Sequence, residues 1–167
     1  MRGKNHFFEV PAEFNHHHDL FMPHPVTGDQ YWGQVKVTSR HLTQPGGPII
    51  LRAGRHIGPH KGFGIRHIWT ERGRELQKWG YNSIHDVPDF VSKIIQDKAQ
   101  IVCEFSSMYE YERLIVMRSR NGCVVLEARS EIRNGDEETQ LLYSVVTAYR
   151  GRNPNGQSVG IVETKKP

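Results

Sequence analysis

The chain has 167 residues, 37% of them apolar and 24% charged, which suits one globular domain with a core and excludes wholesale disorder. Its apolar runs, such as LIVM at 114–117, are too short to span a bilayer, and its first residues lack the apolar segment of a secretory signal. The net charge is +4, but residues 51–80 hold seven Lys and Arg against two acids. A concentration of positive charge attracts polyanions such as nucleic acid, although a solvated basic face without a partner is the alternative.

Residues 1–48 are rich in Pro, His and Gly and predict an irregular N-terminal extension or linker, with a short strand within 31–42. Residues 49–167 form the predicted domain. It begins with a strand at 49–57, followed by a helix from about Ile65 to Trp79, in which Gly73 is expected to bend or end the helix. A second helix is predicted from about residue 83 to 99, with Asp86 as its N-cap.

The second half of the domain is rich in β-branched and aromatic residues. The predicted strands lie at 100–105, 112–119, 123–132, 139–150 and 158–163. Asn-Gly pairs at 121–122, 134–135 and 155–156 are typical of hairpin turns between antiparallel neighbours. The expected fold class is therefore α+β, with two N-terminal helices packed on a four- to five-stranded antiparallel meander sheet. Cys103 and Cys123 lie within strand-like runs and are expected to be buried thiols rather than a disulfide.

The stretch KGFGIRHIWTERG at 61–73 carries the strongest candidate chemistry. Its two glycines match neither GxGxxG nor a Walker motif, and we expect them to turn the chain into a helix whose N-terminus favours a phosphate. His67 lies in the first turn of that helix, where Glu71 can pair with it at i, i+4. A surface histidine in a basic helix is the alternative.

Arg72 falls on the apolar stripe of the same helix, while Arg74 and Lys78 fall on its polar side. A guanidinium on an apolar stripe either extends to solvent or reaches a buried anionic partner. Among the residues of this helix, Arg72 is the one whose position a purely structural role explains least.

The segment YSVVTAYR at 143–150 offers a second group of polar side chains. Strict strand alternation places Tyr143, Val145, Thr147 and Tyr149 on one face. Packing is the default role for such residues, but hydroxyls and the Arg150 guanidinium near a strand end also suit a phosphate.

Histidines at 16–18, 24, 56 and 60 raise a metal interpretation. No HExxH or Cys–His pattern completes a ligand set, so an incidental cluster is the preferred interpretation, and neither a metal nor a cofactor is predicted.

The segments GFGIRHI (62–68) and VVTAYR (145–150), in a chain of two helices followed by strands, resemble the barnase–EndoU–colicin–RelE (BECR) nuclease superfamily, in its phage and contact-dependent inhibition (polymorphic) toxin branch. The resemblance covers roughly residues 49–163. It implies a small, metal-independent ribonuclease whose catalytic residues correspond to His67, Thr147 and Tyr149. Where the family pattern often has a second histidine, as in RHG, this chain has ERG, which makes Arg72 the substitute at that position.

The resemblance and the residues together predict an endoribonuclease toxin that cleaves RNA, such as tRNA, by attack of the 2′-OH on the adjacent phosphate. His67, Arg72, Thr147 and Tyr149 are the predicted catalytic residues. Predicted substrate-binding residues are Lys61, Arg66, Arg74 and Arg150.

Such a toxin is expected to be a monomer with a cognate immunity protein. It would act in a bacterial cytoplasm and be delivered as the C-terminal part of a secreted toxin. Two alternatives stay open, a non-catalytic nucleic-acid-binding module and a metal-dependent hydrolase that uses the N-terminal histidines.

Overall fold

A computed structural model of the chain describes residues 8–40, 42, 45–103, 114–118, 122–132, 139–151 and 156–164. Over these residues the elements, in chain order, are β1 (Gly33–Val37), β2 (Gly47–Ile50), β3 (Arg55–Gly58), β4 (Lys61–Phe63), α1 (Gly64–Lys78), a 3₁₀ turn (Ile84–Asp86), α2 (Val87–Ile94), β5 (Gln100–Cys103), β6 (Leu114–Arg118), β7 (Gly122–Ile132), β8 (Thr139–Tyr149) and β9 (Gln157–Glu163). Neither helix in this part of the chain is long and apolar enough to cross a membrane.

Seven strands close into a barrel in the order β1-β2-β8-β7-β6-β5-β9, and β9 pairs with β1 to complete it. Six of the seven pairings are antiparallel, while β2 and β8 run parallel, with Ile49 opposite Tyr143. Strands β3 and β4 form a separate two-stranded hairpin directly before α1.

The predicted α+β fold of two N-terminal helices on a four- to five-stranded meander is therefore wrong. The meander β5-β6-β7-β8 is present, but β9 pairs with β5 and β1 rather than with β8, and four strands precede α1. The physical reason is that a four-stranded meander leaves two edges with unpaired backbone groups, and strands from both ends of the chain pair with those edges here. The three Asn-Gly turns lie outside the described residues, at least in part.

Helix α1 forms where its apolar spacing predicts it, from Gly64 rather than Ile65, and continues through Gly73 to Lys78 without ending early. Gly73 has a packing role, because a Cβ there would lie 2.8 Å from the ring of Phe8. The side chain of Phe8 thereby packs against the helix, and its ring centroid lies 5.5 Å from that of Trp69.

The second predicted helix is shorter than expected, and Asp86 precedes it as its N-cap residue. The carboxylate of Asp86 serves the 3₁₀ turn instead of α2, since it accepts the backbone N–H groups of Asn82 and Ser83. Together with the Ser83 side chain it forms a capping box.

Strand alternation sorts the side chains of β5–β8 into two clusters. One face joins α1 and α2 in the main core and includes Ile101, Leu114, Val116, Val124 and Leu126. The other face carries a smaller cluster of Val102, Ile115, Cys123, Val125 and Val146. Cys103 and Cys123 are buried thiols, as the sequence predicts, and form no disulfide.

A β-bulge in β8 changes which face its polar residues occupy. Val125 pairs with Thr147 and Leu126 pairs with Val145, so Val146 is an extra residue in the ladder. Val145 consequently packs in the main core, whereas Thr147 shares the side of Val125. Strict alternation had placed Val145 and Thr147 on one face, and the bulge separates them.

An ion pair between a buried arginine and a partly exposed aspartate joins the N-terminal segment to the barrel. The guanidinium of Arg52, which is 1% exposed, lies 2.9 Å from the Asp19 carboxylate and donates from Nε to Ser144 Oγ at 2.8 Å. Its Cζ also lies 3.8 Å from the ring centroid of Phe63. The charge of Arg52 is therefore fully partnered inside the protein.

Candidate catalytic site

Two histidines meet where the β3–β4 hairpin packs against α1. His56 on β3 and His67 on α1 bring their Nδ1 atoms to 3.0 Å, and their rings stack with centroids 5.3 Å apart at 21°. On the other side of His67, its Nε2 lies 3.8 Å from Oε2 of Glu71. The three side chains form a continuous chain, Glu71–His67–His56, which we call the histidine relay.

The backbone of the β3–β4 hairpin positions the side chains of the histidine relay. Gly62 has φ +145°, and a Cβ there would lie 2.4 Å from the carbonyl oxygen of Arg55 and 2.6 Å from Nδ1 of His67. The absence of a side chain at Gly62 therefore lets the hairpin close and gives the His67 ring its space. The backbone N–H of His60, in the hairpin turn, donates to Oε1 of Glu71 at 2.7 Å and fixes the carboxylate.

The two histidines differ in exposure. His67 is 2% exposed, while His56 is partly exposed, so His56 is the member of the pair that a bound molecule can reach. Burial lowers the pKa of His67, Glu71 opposes that effect, and the nearby His56, His60 and Arg72 add to it. The lowered pKa favours the neutral imidazole, which can accept or donate a proton at Nδ1.

A second group of side chains lies where α1 packs along β8. The Cζ of Arg72 lies 5.5 Å from the ring centroid of Tyr149, and Arg72 Nη1 lies 3.7 Å from a carboxylate oxygen of Glu75. Arg72 Nε and Thr147 Oγ1 are both buried, and neither has a hydrogen-bond partner among the described residues. A buried polar atom without a partner costs about 1–3 kcal/mol, so each of these two atoms would gain from a hydrogen-bond partner.

The structure therefore places His67 in the relay, Arg72 on α1 against the ring of Tyr149, and Thr147 on β8 opposite Val125. The charge of Arg72 acts on the pKa of His67. The hydroxyl of Tyr149 also hydrogen-bonds the Cys123 thiol, and burial raises the pKa of that thiol.

The predicted substrate-binding residues separate into free and engaged side chains. Lys61 and Arg74 are exposed, as is Arg150, whose Cζ lies 4.5 Å from the ring centroid of Trp79. Arg66 is engaged instead: Nη1 donates to the Gly54 carbonyl at 2.8 Å, and Nη2 donates to carbonyls of the N-terminal segment. Its role is therefore to hold residues 14–16 against the helix.

The N-terminus of α1 is also occupied by the protein itself. The backbone N–H groups of Ile65 and Arg66 donate to the carbonyl oxygens of Arg52 and Ala53 at 3.1 and 3.0 Å. These two donors already have partners, so they are not available to the phosphate that the sequence suggests at this helix N-terminus.

Sequence reasoning did not place His56 in catalysis. The Gly-Pro sequence at 58–59 excludes a helical pairing of His56 with His60, and nothing local indicates that a tight hairpin returns His56 to His67. The signal that could have revealed it is Gly62 opposite His56 in that hairpin.

The chain was compared with protein-family models, with curated proteins and with solved structures, and none of them matches it. The argument for its function therefore depends on the geometry of its side chains.

Proposed function

We propose that this protein is a metal-independent endoribonuclease that cleaves RNA by attack of a ribose 2′-OH on the adjacent phosphate. The observation that carries the proposal is the 3.0 Å contact between Nδ1 of His56 and Nδ1 of His67, with Glu71 behind it. A contact of this length suits a hydrogen bond between the two nitrogens, in which one imidazole would donate and the other accept.

The reaction requires a base at the 2′-OH, a cation at the phosphate and a proton for the leaving 5′-oxygen. His56 is the group that can touch the substrate and remove the 2′-OH proton. His67 acts behind it by accepting the proton that His56 holds at Nδ1, and Glu71 stabilises the imidazolium that results.

The second group supplies phosphate contacts in this proposal. Arg72 Nε and Thr147 Oγ1 are donors without partners among the described residues, and in this proposal each would donate to a phosphate oxygen. Lys61, Arg74 and Arg150 present exposed positive charge around the site and would bind the RNA backbone. Tyr149 would position the phosphate or pass on a proton through its hydroxyl.

The test is digestion of tRNA and total RNA by purified protein in EDTA. We expect His56→Ala and His67→Ala to lower the cleavage rate by about 10²–10⁴-fold, the usual contribution of general acid–base catalysis. His85→Ala is the matched control, because His85 is exposed and pairs with Glu13 instead. Cleavage that is equal in all variants, or absent from the wild type, refutes the proposal.

One result would favour the non-catalytic alternative. If RNA stays intact while the wild type and His67→Ala both bind it in a salt-sensitive manner, the protein is a nucleic-acid-binding module.

We extend the proposal to a toxin that is held inactive by an immunity protein, with tRNA among its targets. The support is the resemblance of residues 62–68 and 145–150 to toxin nucleases, together with the histidine relay. Expression in bacteria tests this: wild-type protein should stop growth and His56→Ala should not. Equal growth with both proteins would contradict the toxin role.

A further inference from the structure

The histidine relay also has the composition of a metal site. One donor atom each from His56, His67 and Glu71 lies within 4.8 Å of the other two. Two imidazoles and a carboxylate are the protein ligands of many zinc sites that keep a fourth position open. The residues come from β3 and α1, two elements that pack directly on each other.

One ligand distance is close to that of a zinc site. Tetrahedral Zn²⁺, with Zn–N bonds of about 2.0–2.1 Å, places two nitrogen ligands about 3.3 Å apart. The two Nδ1 atoms are 3.0 Å apart, so these two donors need to separate by only about 0.3 Å. Oε2 of Glu71 lies 3.8 Å from Nε2, on the other side of the His67 ring, so the carboxylate has to turn toward Nδ1 to reach the same ion.

A second cluster of potential metal ligands consists of His17, His18 and Asp19. It is less suited to a metal, because two of its side chains are already engaged in other interactions. The carboxylate of Asp19 already neutralises the buried Arg52 at 2.9 Å. Nδ1 of His17 accepts the backbone N–H of Asp19 at 3.2 Å. A metal there would have to compete with both interactions.

We propose that His56, His67 and Glu71 bind Zn²⁺ and that the bound ion inhibits the protein. Coordination occupies the nitrogen lone pairs through which the two histidines exchange a proton, so neither ring can serve as acid or base while the ion is bound. The binding half of this inference stands on the ligand geometry, and the inhibitory half rests on the proposed ribonuclease function.

Binding is tested by calorimetric titration of chelator-treated protein with Zn²⁺ alone, and cleavage of tRNA is followed over the same Zn²⁺ range. We expect His56→Gln to lose the site and Glu71→Gln to weaken it, because each change removes one of the three protein ligands. The matched control is His17→Ala, which removes a ligand of the other cluster and should leave this site intact. Circular dichroism of each variant checks that it is folded.

The outcomes separate the two claims. Zn²⁺ binding that is lost in His56→Gln, together with cleavage that Zn²⁺ abolishes and EDTA restores, supports the inference. Binding that is unchanged in His56→Gln but lost in His17→Ala overturns it and leaves the ribonuclease proposal standing. Cleavage that requires Zn²⁺ overturns both the inhibitory role and the metal-independent mechanism. Binding at this site without any RNA cleavage refutes the ribonuclease proposal and the inhibition, and retains the metal site.

Discussion

The Nδ1 atoms of His56 and His67 lie 3.0 Å apart although the first ring is partly exposed and the second is buried. A buried imidazole in contact with an exposed one can hold its orientation and exchange a proton with it, while remaining shielded from substrate. His56 is therefore the accessible member of the pair, and His67 lies behind it and can orient it.

Because the two histidines act as a unit, their substitutions should not be additive. We expect His56→Ala and His67→Ala each to lower kcat/KM for RNA by about 10²–10⁴-fold, and the double variant to lose little more than either single variant. Single-turnover cleavage in EDTA measures all three. Losses that multiply in the double variant would mean that the two rings act independently.

Gly62→Ala should disrupt the site through its backbone. A Cβ at Gly62 meets both the Arg55 carbonyl and the His67 ring, so we expect a stability loss of about 1–3 kcal/mol and loss of most cleavage. Gly58→Ala in the same hairpin is the control, because nothing lies within 4 Å of a Cβ there. Urea unfolding and RNA digestion of both variants check this, and equal effects of the two substitutions would exclude the steric explanation.

Thr147→Val should raise the stability of the protein and lower its cleavage activity. Its Oγ1 is buried without a partner among the described residues, so replacing the hydroxyl by a methyl group should stabilise the protein by about 1 kcal/mol. The same change removes a proposed phosphate donor, and we expect at least tenfold slower cleavage. Thr139→Val, at the exposed start of β8, should change neither quantity. A destabilised Thr147→Val variant would show that the hydroxyl has a structural partner.

Asp19→Asn should destabilise the fold, because it leaves the buried Arg52 guanidinium without its countercharge. We expect a loss of about 1–3 kcal/mol, since Asp19 itself is 47% exposed. The exposed pair of Lys36 and Glu163 provides the control, and Glu163→Gln should cost less than about 1 kcal/mol. Chemical denaturation of both variants measures the difference, and equal costs would contradict a buried role for the Arg52 pair.

Stability should fall in mild acid because of His24. Its Nδ1 accepts the backbone N–H groups of Val26 and Thr27, and burial lowers its pKa although Asp29 opposes that effect. The unfolded chain takes up a proton at His24 near its ordinary pKa of about 6.5, at a pH where the folded chain does not. The His24 contribution is therefore fully present above that pH and is lost as the pH falls toward the folded-state value.

The check is the free energy of unfolding at pH 7 and pH 5. Asn keeps an acceptor near the position of Nδ1 but does not titrate, so His24→Asn should lose less stability between the two pH values than the wild type. If His24→Asn lost as much stability between pH 7 and pH 5 as the wild type does, His24 would not be the cause of the pH dependence.

Most individual helices and strands could be predicted from the local sequence. Helix α1 and strands β5–β8 each follow from the spacing of apolar residues within one segment. The barrel did not follow, since its closure depends on pairings between distant segments, such as Gln34 with Glu163 and Ile49 with Tyr143. Strands as short as β1 and β2 carry little periodicity of their own.

The candidate site could also be predicted only in part, namely where its contacts are local in sequence. The pairing of His67 with Glu71 is a helical i, i+4 relationship and was predicted and confirmed. The contact of His67 with His56 depends on a hairpin whose turn includes His60 at φ +57°, which no local pattern indicates. The extra residue Val146 in β8 likewise breaks the alternation on which the placement of Thr147 depended.

The pairing of β9 with both β1 and β5 has a consequence for biosynthesis. A ribosome releases β9 last among the described strands, so a nascent chain cannot complete the ring while that strand is still in the exit tunnel. Contacts between segments so far apart in sequence also form slowly. The hairpin and helix that carry both histidines emerge much earlier, without the closed sheet that later supports them. The closed sheet therefore forms only after β9 has left the exit tunnel, and the two histidines are without its support until then.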